Sequence, residues 1–313
     1  MKYLVTGGAG FIGSHIVRTL LEKGEDVRVL DNFSTGKREN LAGLNEQFGG
    51  GRFEVYEGDL RDRAFVQTAV QGVDIIFHEA AFVSVPESME KPQDCFDVNV
   101  AATAGLFDAA RNAGVKRAVI ASSAAVYGES DAWPLKETTP TQSLSPYAAS
   151  KRTDEIYAQL YTQAFGLDVV ALRYFNVYGP RQRPDSMYAA AVPIFIRRLL
   201  DGKPVTVFGD GGQTRDLINV RDVVRANLVA SEHPDAPGQV FNVCTGKETR
   251  LLDLLEVLYD LFPDVPEPVF TEPRAGDIYR SVGSPEYTAQ TIKFQAEVSL
   301  DEGLKETVAW MQA

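Results

Sequence analysis

At 313 residues, with 44% hydrophobic and 24% charged residues, the chain has the composition of an ordinary globular protein, long enough for one large domain and a smaller one. A formal net charge of −12, with no basic tail or stripe, argues against nucleic-acid binding, and no apolar run approaches a membrane span. Cys95 and Cys244 are the only cysteines, and His15, His78 and His233 show no ligand spacing, so neither a disulfide scaffold nor a metal site is expected.

The first predicted element is a strand at Tyr3-Leu4-Val5. It is entered at Lys2, which leaves no room for a signal peptide, and the expected compartment is the cytoplasm. Gly7-Gly8-Ala9-Gly10-Phe11-Ile12-Gly13 follows, satisfying G-x-G-x-x-G from Gly8 and G-x-x-G-x-x-G from Gly7. Glycine permits the tight turn and lets backbone N–H groups approach a pyrophosphate at the positive end of the next helix, which runs through Leu21 to Gly24. Val27–Leu30 is the second strand, and Asp31 stands at its C-terminal end. A carboxylate there bonds the ribose hydroxyls of NAD and repels the 2′-phosphate of NADP, a preference that Lys37 and Arg38 close behind it weaken.

Strands are predicted at Phe53–Tyr56, Asp74–Phe77, Arg117–Ala121 and Asp168–Leu172, between helical stretches around 61–70, 93–113 and 146–165. This alternation predicts an α/β fold with a doubly wound parallel Rossmann sheet, whose ligands sit beyond the carboxyl ends of the strands. Gly58-Asp59-Leu60, His78-Glu79-Ala80-Ala81 and Ser122-Ser123 all fall at those ends. Asp59 is expected near an adenine amino group, and Ala80 and Ala81 where a dinucleotide lies close to backbone.

Ser145-Pro146-Tyr147-Ala148-Ala149-Ser150-Lys151 reads as a helix start, with Ser145 as N-cap and Pro146 in the first helical position. The helix is expected to run to Gly166. Tyr147 and Lys151 are then one turn apart on one face. A cation beside a phenol favours the phenolate, which makes Tyr147 a candidate general base.

Beyond Arg173 the alternation breaks. A loop with Arg181 and Arg183, a helix at Ala191–Leu200, a strand at Val205–Phe208, the turn Gly209-Asp210-Gly211-Gly212 and an extended Pro263–Pro273 segment suggest a smaller substrate domain. Val220–Glu232 and Val240–Val243 are expected to return to the main sheet. The predicted division is 1–173 with 216–247 for the NAD-binding domain, and 174–215 with 248–313 for the smaller one. In so acidic a chain a nucleotide diphosphate needs local cations, and Arg181, Arg183, Arg215 and Arg274 are the candidates.

Taken together, Thr6-Gly7-Gly8-Ala9-Gly10-Phe11-Ile12-Gly13, Ser123 ahead of Tyr127-Gly128, Tyr147-x-x-x-Lys151, Arg173-Tyr174-Phe175-Asn176 and Arg274-x-Gly276-Asp277 resemble the extended short-chain dehydrogenase/reductase family, specifically its UDP-hexose 4-epimerases, along essentially the whole chain. The resemblance implies Ser123, Tyr147 and Lys151 as the catalytic residues. It implies NAD contacts at Gly7, Gly10, Phe11, Ile12, Gly13, Asp31, Asn32, Asp59, Leu60, Ala80, Ala81, Asn99, Tyr147 and Lys151. Ser84, Ser123, Tyr147, Asn176, Phe208, Arg215, Arg274, Asp277 and Ser281 would contact the UDP-sugar.

Related dehydratases carry an Asp-Glu pair just after the serine, and related decarboxylases a Glu. Ala124 and Ala125 here cannot transfer a proton, which leaves epimerisation. Ser281, seven residues after Arg274, would lie beside the sugar C2 substituent and leave room for an N-acetyl group. The segment around Ser84, with Tyr174–Gly179 and Tyr188-Ala189-Ala190, resembles epimerases of N-acetylated sugars, whereas Gly179–Pro184 also occurs in UDP-glucuronate 4-epimerases. A non-catalytic NAD/UDP-sugar sensor on the same fold is a further alternative. The family also implies a homodimer through the helices near 93–113 and 146–165, for which Val98, Leu106 and Phe107 are read as apolar residues on more than one face.

Overall fold

The computed structural model describes residues 1–184, 190–273 and 278–313. Seven parallel strands form its central sheet: β1 (Lys2–Thr6), β2 (Asp26–Asp31), β3 (Phe53–Glu57), β4 (Ile75–His78), β5 (Arg117–Ser123), β6 (Asp168–Tyr174) and β7 (Val240–Val243). Their spatial order is β3-β2-β1-β4-β5-β6-β7. The flanking helices that matter for the site are α1 (Phe11–Glu22), α2 (Arg63–Ala69), α3 (Ala102–Asn112), α4 (Pro146–Leu160) and α5 (Val220–Glu232).

Both faces of the sheet are covered, so its strands read as nearly unbroken apolar runs. Alternate residues serve different cores. Tyr3, Val5, Ile75 and Phe77 pack with α1 and α5, while Leu4, Ile76, Ala118 and Ile120 pack with α2 and α3. Phe77 is fully buried and stacked on Tyr3, with ring centroids 5.9 Å apart. Truncating such a side chain to alanine costs roughly 3–5 kcal/mol.

The expected helices are present but interrupted. The 93–113 stretch is a short helix at Pro92–Phe96, one turn of π-helix at Asp97–Ala101, and then α3. α4 likewise passes into a π turn at Tyr161–Phe165, and Gly166 ends it in the left-handed conformation at φ +73°. Leu106 and Phe107, read from the sequence as apolar residues on more than one face, are both fully buried in the chain's own core. The large apolar side chains left exposed on these helices are Phe96, Ile156, Tyr157, Leu160 and Phe165.

Beyond β6 a second core gathers Val192, Phe195 and Ile196 of the Ala191–Leu200 helix, Leu254 and Leu258 of a helix at Leu251–Leu261, and Leu304 and Val308 of a helix at Leu300–Gln312. Strand Thr206–Phe208 pairs in parallel with Val269–Thr271, inside the segment expected to be extended. Val220–Glu232 and Val240–Val243 return to the main sheet. Ile292 and Phe294 pack in the main core, although the predicted division assigns them to the smaller domain.

Candidate active site

The crevice opens where the strand order reverses, between the loops leaving β1 and β4. Gly7 adopts φ +67°, and a Cβ there would lie 2.6 Å from the Ala80 backbone nitrogen. The loop therefore packs against Ala80 without side chains between, and backbone lines the crevice. N-cap Gly10 leaves α1 with no side-chain cap. The N–H groups of Phe11, Ile12 and Gly13 thus stand at the positive end of a helix, as an anion site requires.

At the end of β2, Asp31 accepts from the backbone N–H of Ala9 at 2.9 Å and of Phe33 at 2.8 Å. Burial pushes its carboxyl up, and the two N–H bonds oppose that. Asn32 Nδ2 donates to Asp59 Oδ2 at 3.0 Å, and Arg61 donates to the same carboxylate through Nε at 2.9 Å and Nη2 at 2.8 Å. Arg61 holds the Asp59 carboxyl well below the usual carboxylate range. Asp59, expected near an adenine amino group, thus has its carboxylate held by Asn32 and Arg61, and Leu60 packs in the core. Asn99, in its π turn, is similarly occupied: Oδ1 accepts from Phe82 N at 2.7 Å, and Nδ2 donates to Phe82 O at 3.1 Å and Ser150 Oγ at 2.9 Å.

Below the crevice lie two polar chains. His78 Nδ1 is 2.7 Å from Thr6 Oγ1 and its Nε2 is 2.9 Å from Thr103 Oγ1. Burial, with the Lys151 charge nearby, pushes this imidazole down to about 3, so it stays neutral. Tyr174 donates its hydroxyl to Glu79 Oε1 at 2.8 Å and accepts from Asn227 Nδ2 at 2.7 Å. Burial pushes Glu79 up to about 7, against the Tyr174 bond and the Lys151 charge.

α4 begins as its sequence predicts, with Ser145 Oγ accepting from Ala148 N at 3.1 Å and Pro146 in the first turn. Tyr147 follows, its backbone N–H donating to Ser88 Oγ at 3.2 Å. One turn on, Lys151 is 3% exposed and faces an equally buried Asp154 at 3.7 Å. Burial pushes Asp154 up to about 7, opposed by Lys151. Ser123 closes β5, its Oγ accepting from Ala125 N at 3.1 Å. α4 packs on β5 and on the turn Ala124–Tyr127, which brings the Ser123 end of the strand to the Tyr147 helix.

Three residues expected to touch the substrate also meet in one ladder. Asn176 N donates to Asp216 O at 3.0 Å, Asp216 N donates to Ser281 O at 2.8 Å, and Arg280–Ser281 pairs with Thr214–Arg215. Phe208 ends its strand nearby in sequence, its carbonyl accepting from Gln213 Nε2 at 2.8 Å. Ser84 caps the helix Val85–Glu90, its Oγ accepting from Glu87 N at 3.2 Å. Arg274, Asp277, Tyr188 and Ala189 lie outside the described residues.

Two residues that organise the site were not singled out from the sequence. Asp216 is fully buried; its Oδ1 accepts from Thr245 N and Oγ1, and its Oδ2 from Gly246 N and Gly283 N. Nothing local marks it. Glu155 is fully buried on α4 and bound by Ser122, Arg152 and Arg173. The available signal was Arg173, a charge inside an apolar strand that requires a buried counter-ion.

The doubly wound sheet, the glycine-lined crevice and the phenol–ammonium helix beside it define a dinucleotide-dependent enzyme of the Rossmann class. The chain belongs to the NAD dependent epimerase/dehydratase family, whose model matches residues 3–244. NAD is the family's cofactor, and the side-chain-free cradle at Gly7 and Gly13 fits its pyrophosphate.

Among relatives, the chain is 39% identical over 314 residues to a UDP-glucose 4-epimerase of Mycolicibacterium smegmatis, covering 100% of this chain and 99% of that one. Among solved structures it is similar to a UDP-N-acetylglucosamine 4-epimerase from Methanobrevibacter ruminantium M1 in complex with UDP-N-acetylmuramic acid. That match has TM-score 0.94 and 39% identity, covering 99% and 98% of the two chains. It is also similar to a UDP-glucuronic acid 4-epimerase from Bacillus cereus in complex with UDP-glucuronic acid and NAD, with TM-score 0.90 and 29% identity, covering 100% and 99%.

Proposed function

We propose that the protein is a UDP-sugar 4-epimerase that interconverts UDP-glucose with UDP-galactose and UDP-GlcNAc with UDP-GalNAc. The observation carrying this reading is the packing of α4, with Tyr147 and Lys151, onto the end of β5, where Ser123 is followed by Ala124 and Ala125. Two alanines leave no acid or base for dehydration or decarboxylation beside the reacting sugar.

Bound NAD supplies a hydride acceptor, and later a donor, for the sugar C4. Tyr147 takes the proton from the O4 hydroxyl and returns it after the 4-keto sugar has turned. Lys151 stands one turn further along α4, on the same face of the helix as Tyr147. Ser123 fixes the oxygen on which both act. Asn176, Phe208 and Arg215 hold the UDP portion, and binding energy from this remote part keeps the ketone from escaping while it rotates. Ser281 lies beside the C2 substituent, where its small side chain admits an acetamido group.

Incubating the protein separately with UDP-glucose, UDP-GlcNAc and UDP-glucuronate, and resolving the C4 epimers by chromatography, tests the reading. Conversion of the first two is expected. Conversion of UDP-glucuronate alone would replace the substrate assignment, and conversion of none, with UDP-sugar still bound, would favour a sensor. The exposed Phe96, Ile156, Leu160 and Phe165 support a homodimer through this face. Light scattering at micromolar concentration is expected to give twice the 34.3 kDa chain mass, and a single-chain mass would overturn it.

A further inference from the structure

Successive strand residues turn their side chains to opposite faces, and Ser122 and Ser123 do so at the end of β5. Ser123 turns toward Ala125 N. Ser122, 2% exposed, turns under α4 and donates its hydroxyl to Glu155 Oε1 at 2.6 Å. Glu155 stands one turn after Lys151 and two turns after Tyr147. Its carboxylate also accepts the Arg173 fork, from Nε at 2.7 Å and Nη2 at 2.8 Å, and Arg152 Nη1 at 2.9 Å. Arg173 comes from β6, and its guanidinium lies 4.7 Å from the centre of the Tyr127 ring. Tyr127 in turn donates its hydroxyl to Asn242 Oδ1 of β7 at 2.6 Å. One carboxylate therefore ties α4 to β5 and β6 where Ser123, Tyr147 and Lys151 emerge.

We propose that Glu155 is a positioning residue which, through Ser122 and Arg173, sets the separation between Ser123 and the turn bearing Tyr147 and Lys151. The inference rests on the reading above, in which Ser123 and Tyr147 act on one sugar oxygen. A buried ion pair is by itself weak support for stability, because apolar residues of similar volume often do as well. What the bidentate fork adds is fixed geometry. Two groups that must converge on a single oxygen are sensitive to that geometry, since a displacement of roughly 1 Å can cost about 10²-fold in rate.

Replacing Glu155 itself would leave Arg173 buried without its counter-charge and endanger folding. Ser122→Ala cuts only the tie to the catalytic strand and keeps the ion pair. The control is Ser231→Ala, which removes an equally buried hydroxyl that donates to Leu228 O on α5. The assay reads kcat, KM for UDP-glucose, bound NAD and melting temperature for both variants, with Tyr147→Phe alongside. Ser122→Ala is expected to lose about tenfold in kcat with KM and bound NAD within about twofold, while Ser231→Ala keeps its kcat. A kcat for Ser122→Ala within about twofold of wild type, or an equal fall in kcat for both serine variants, overturns the positioning role. Should Tyr147→Phe retain wild-type turnover, the catalytic reading falls and takes this inference with it. An inactive Tyr147→Phe beside an unimpaired Ser122→Ala sinks the positioning role alone.

Discussion

Gly13→Ala tests whether the crevice is built as a side-chain-free cradle. The added Cβ would lie 2.2 Å from the Gly7 carbonyl oxygen and 2.9 Å from Gly8 Cα. Ordinary C–H···O contacts stand at about 3.3–3.6 Å, so the carbonyl must retreat by roughly 1 Å. It has little freedom to do so, because Gly7 is lodged against the Ala80 backbone and its oxygen already accepts from Gly10 N at 2.9 Å. Overpacking of this kind costs about 1–3 kcal/mol, and losing the Gly10 bond adds about 1 kcal/mol. A comparable shift in the first-turn N–H groups of α1 breaks at least one hydrogen bond to the pyrophosphate. A bond to a charged group contributes about 1.5–3 kcal/mol, so NAD affinity should fall about 10- to 10²-fold. The assay is calorimetric titration of NAD into nucleotide-free wild type and variant, with UDP titrated in parallel and a melting curve for each. NAD binding within about threefold of wild type would refute the cradle. Loss of UDP binding as well would show that the variant had simply unfolded.

Tyr147→Phe should lower kcat by at least roughly 10²-fold while calorimetry finds UDP-sugar binding nearly unchanged, because only the proton-transfer group is removed. Ser281→Tyr should abolish epimerisation of UDP-GlcNAc and spare UDP-glucose, since bulk excludes only the larger C2 substituent; an unaltered UDP-GlcNAc rate would remove Ser281 from that place. Asp154 titrates at about 7 in the fold, chiefly through burial, against about 3.9 in an unfolded chain. The unfolded chain therefore releases this proton first, and stability falls as pH rises from about 4 to about 7. Asp154→Asn, close to an isostere of the protonated acid, should melt with wild type at pH 4 and above it at pH 8. Parallel melting curves across that range would contradict this titration.

The central sheet was legible because its strands are buried on both faces and therefore appear as short apolar runs between glycine and polar punctuation. The glycine loop, Asp31 and the Ser145–Lys151 helix start were legible for a local reason too, since each is specified within a few residues. The ladder joining Asn176, Asp216 and Ser281 was not. Strands of two or three residues carry no periodicity, and Asn176 and Ser281 meet through the backbone of Asp216, whose carboxylate is held by the distant Thr245, Gly246 and Gly283. Asn99 illustrates a different gap. A π turn differs from continuous helix by a single residue of register, and that register aims its amide at Phe82 and Ser150. Leu106 and Phe107 both fall in the chain's own core, and apolar periodicity alone does not distinguish a partner from a neighbouring layer of the same chain.

The partners of the Asp216 carboxylate have a consequence for how the protein is made. They lie 29, 30 and 67 residues further along the chain, at Thr245, Gly246 and Gly283. A ribosome delivers the first two only after β7 has been synthesised, and the third only after the helix Leu251–Leu261. The core beside this ladder also needs Leu304 and Val308, from the helix Leu300–Gln312. The ladder therefore draws on residues synthesised after the last strand of the sheet, whereas successive domains of a nascent chain commonly fold as units in turn. A chain released before Gly283 would carry the nucleotide cradle without the full set of Asp216 partners.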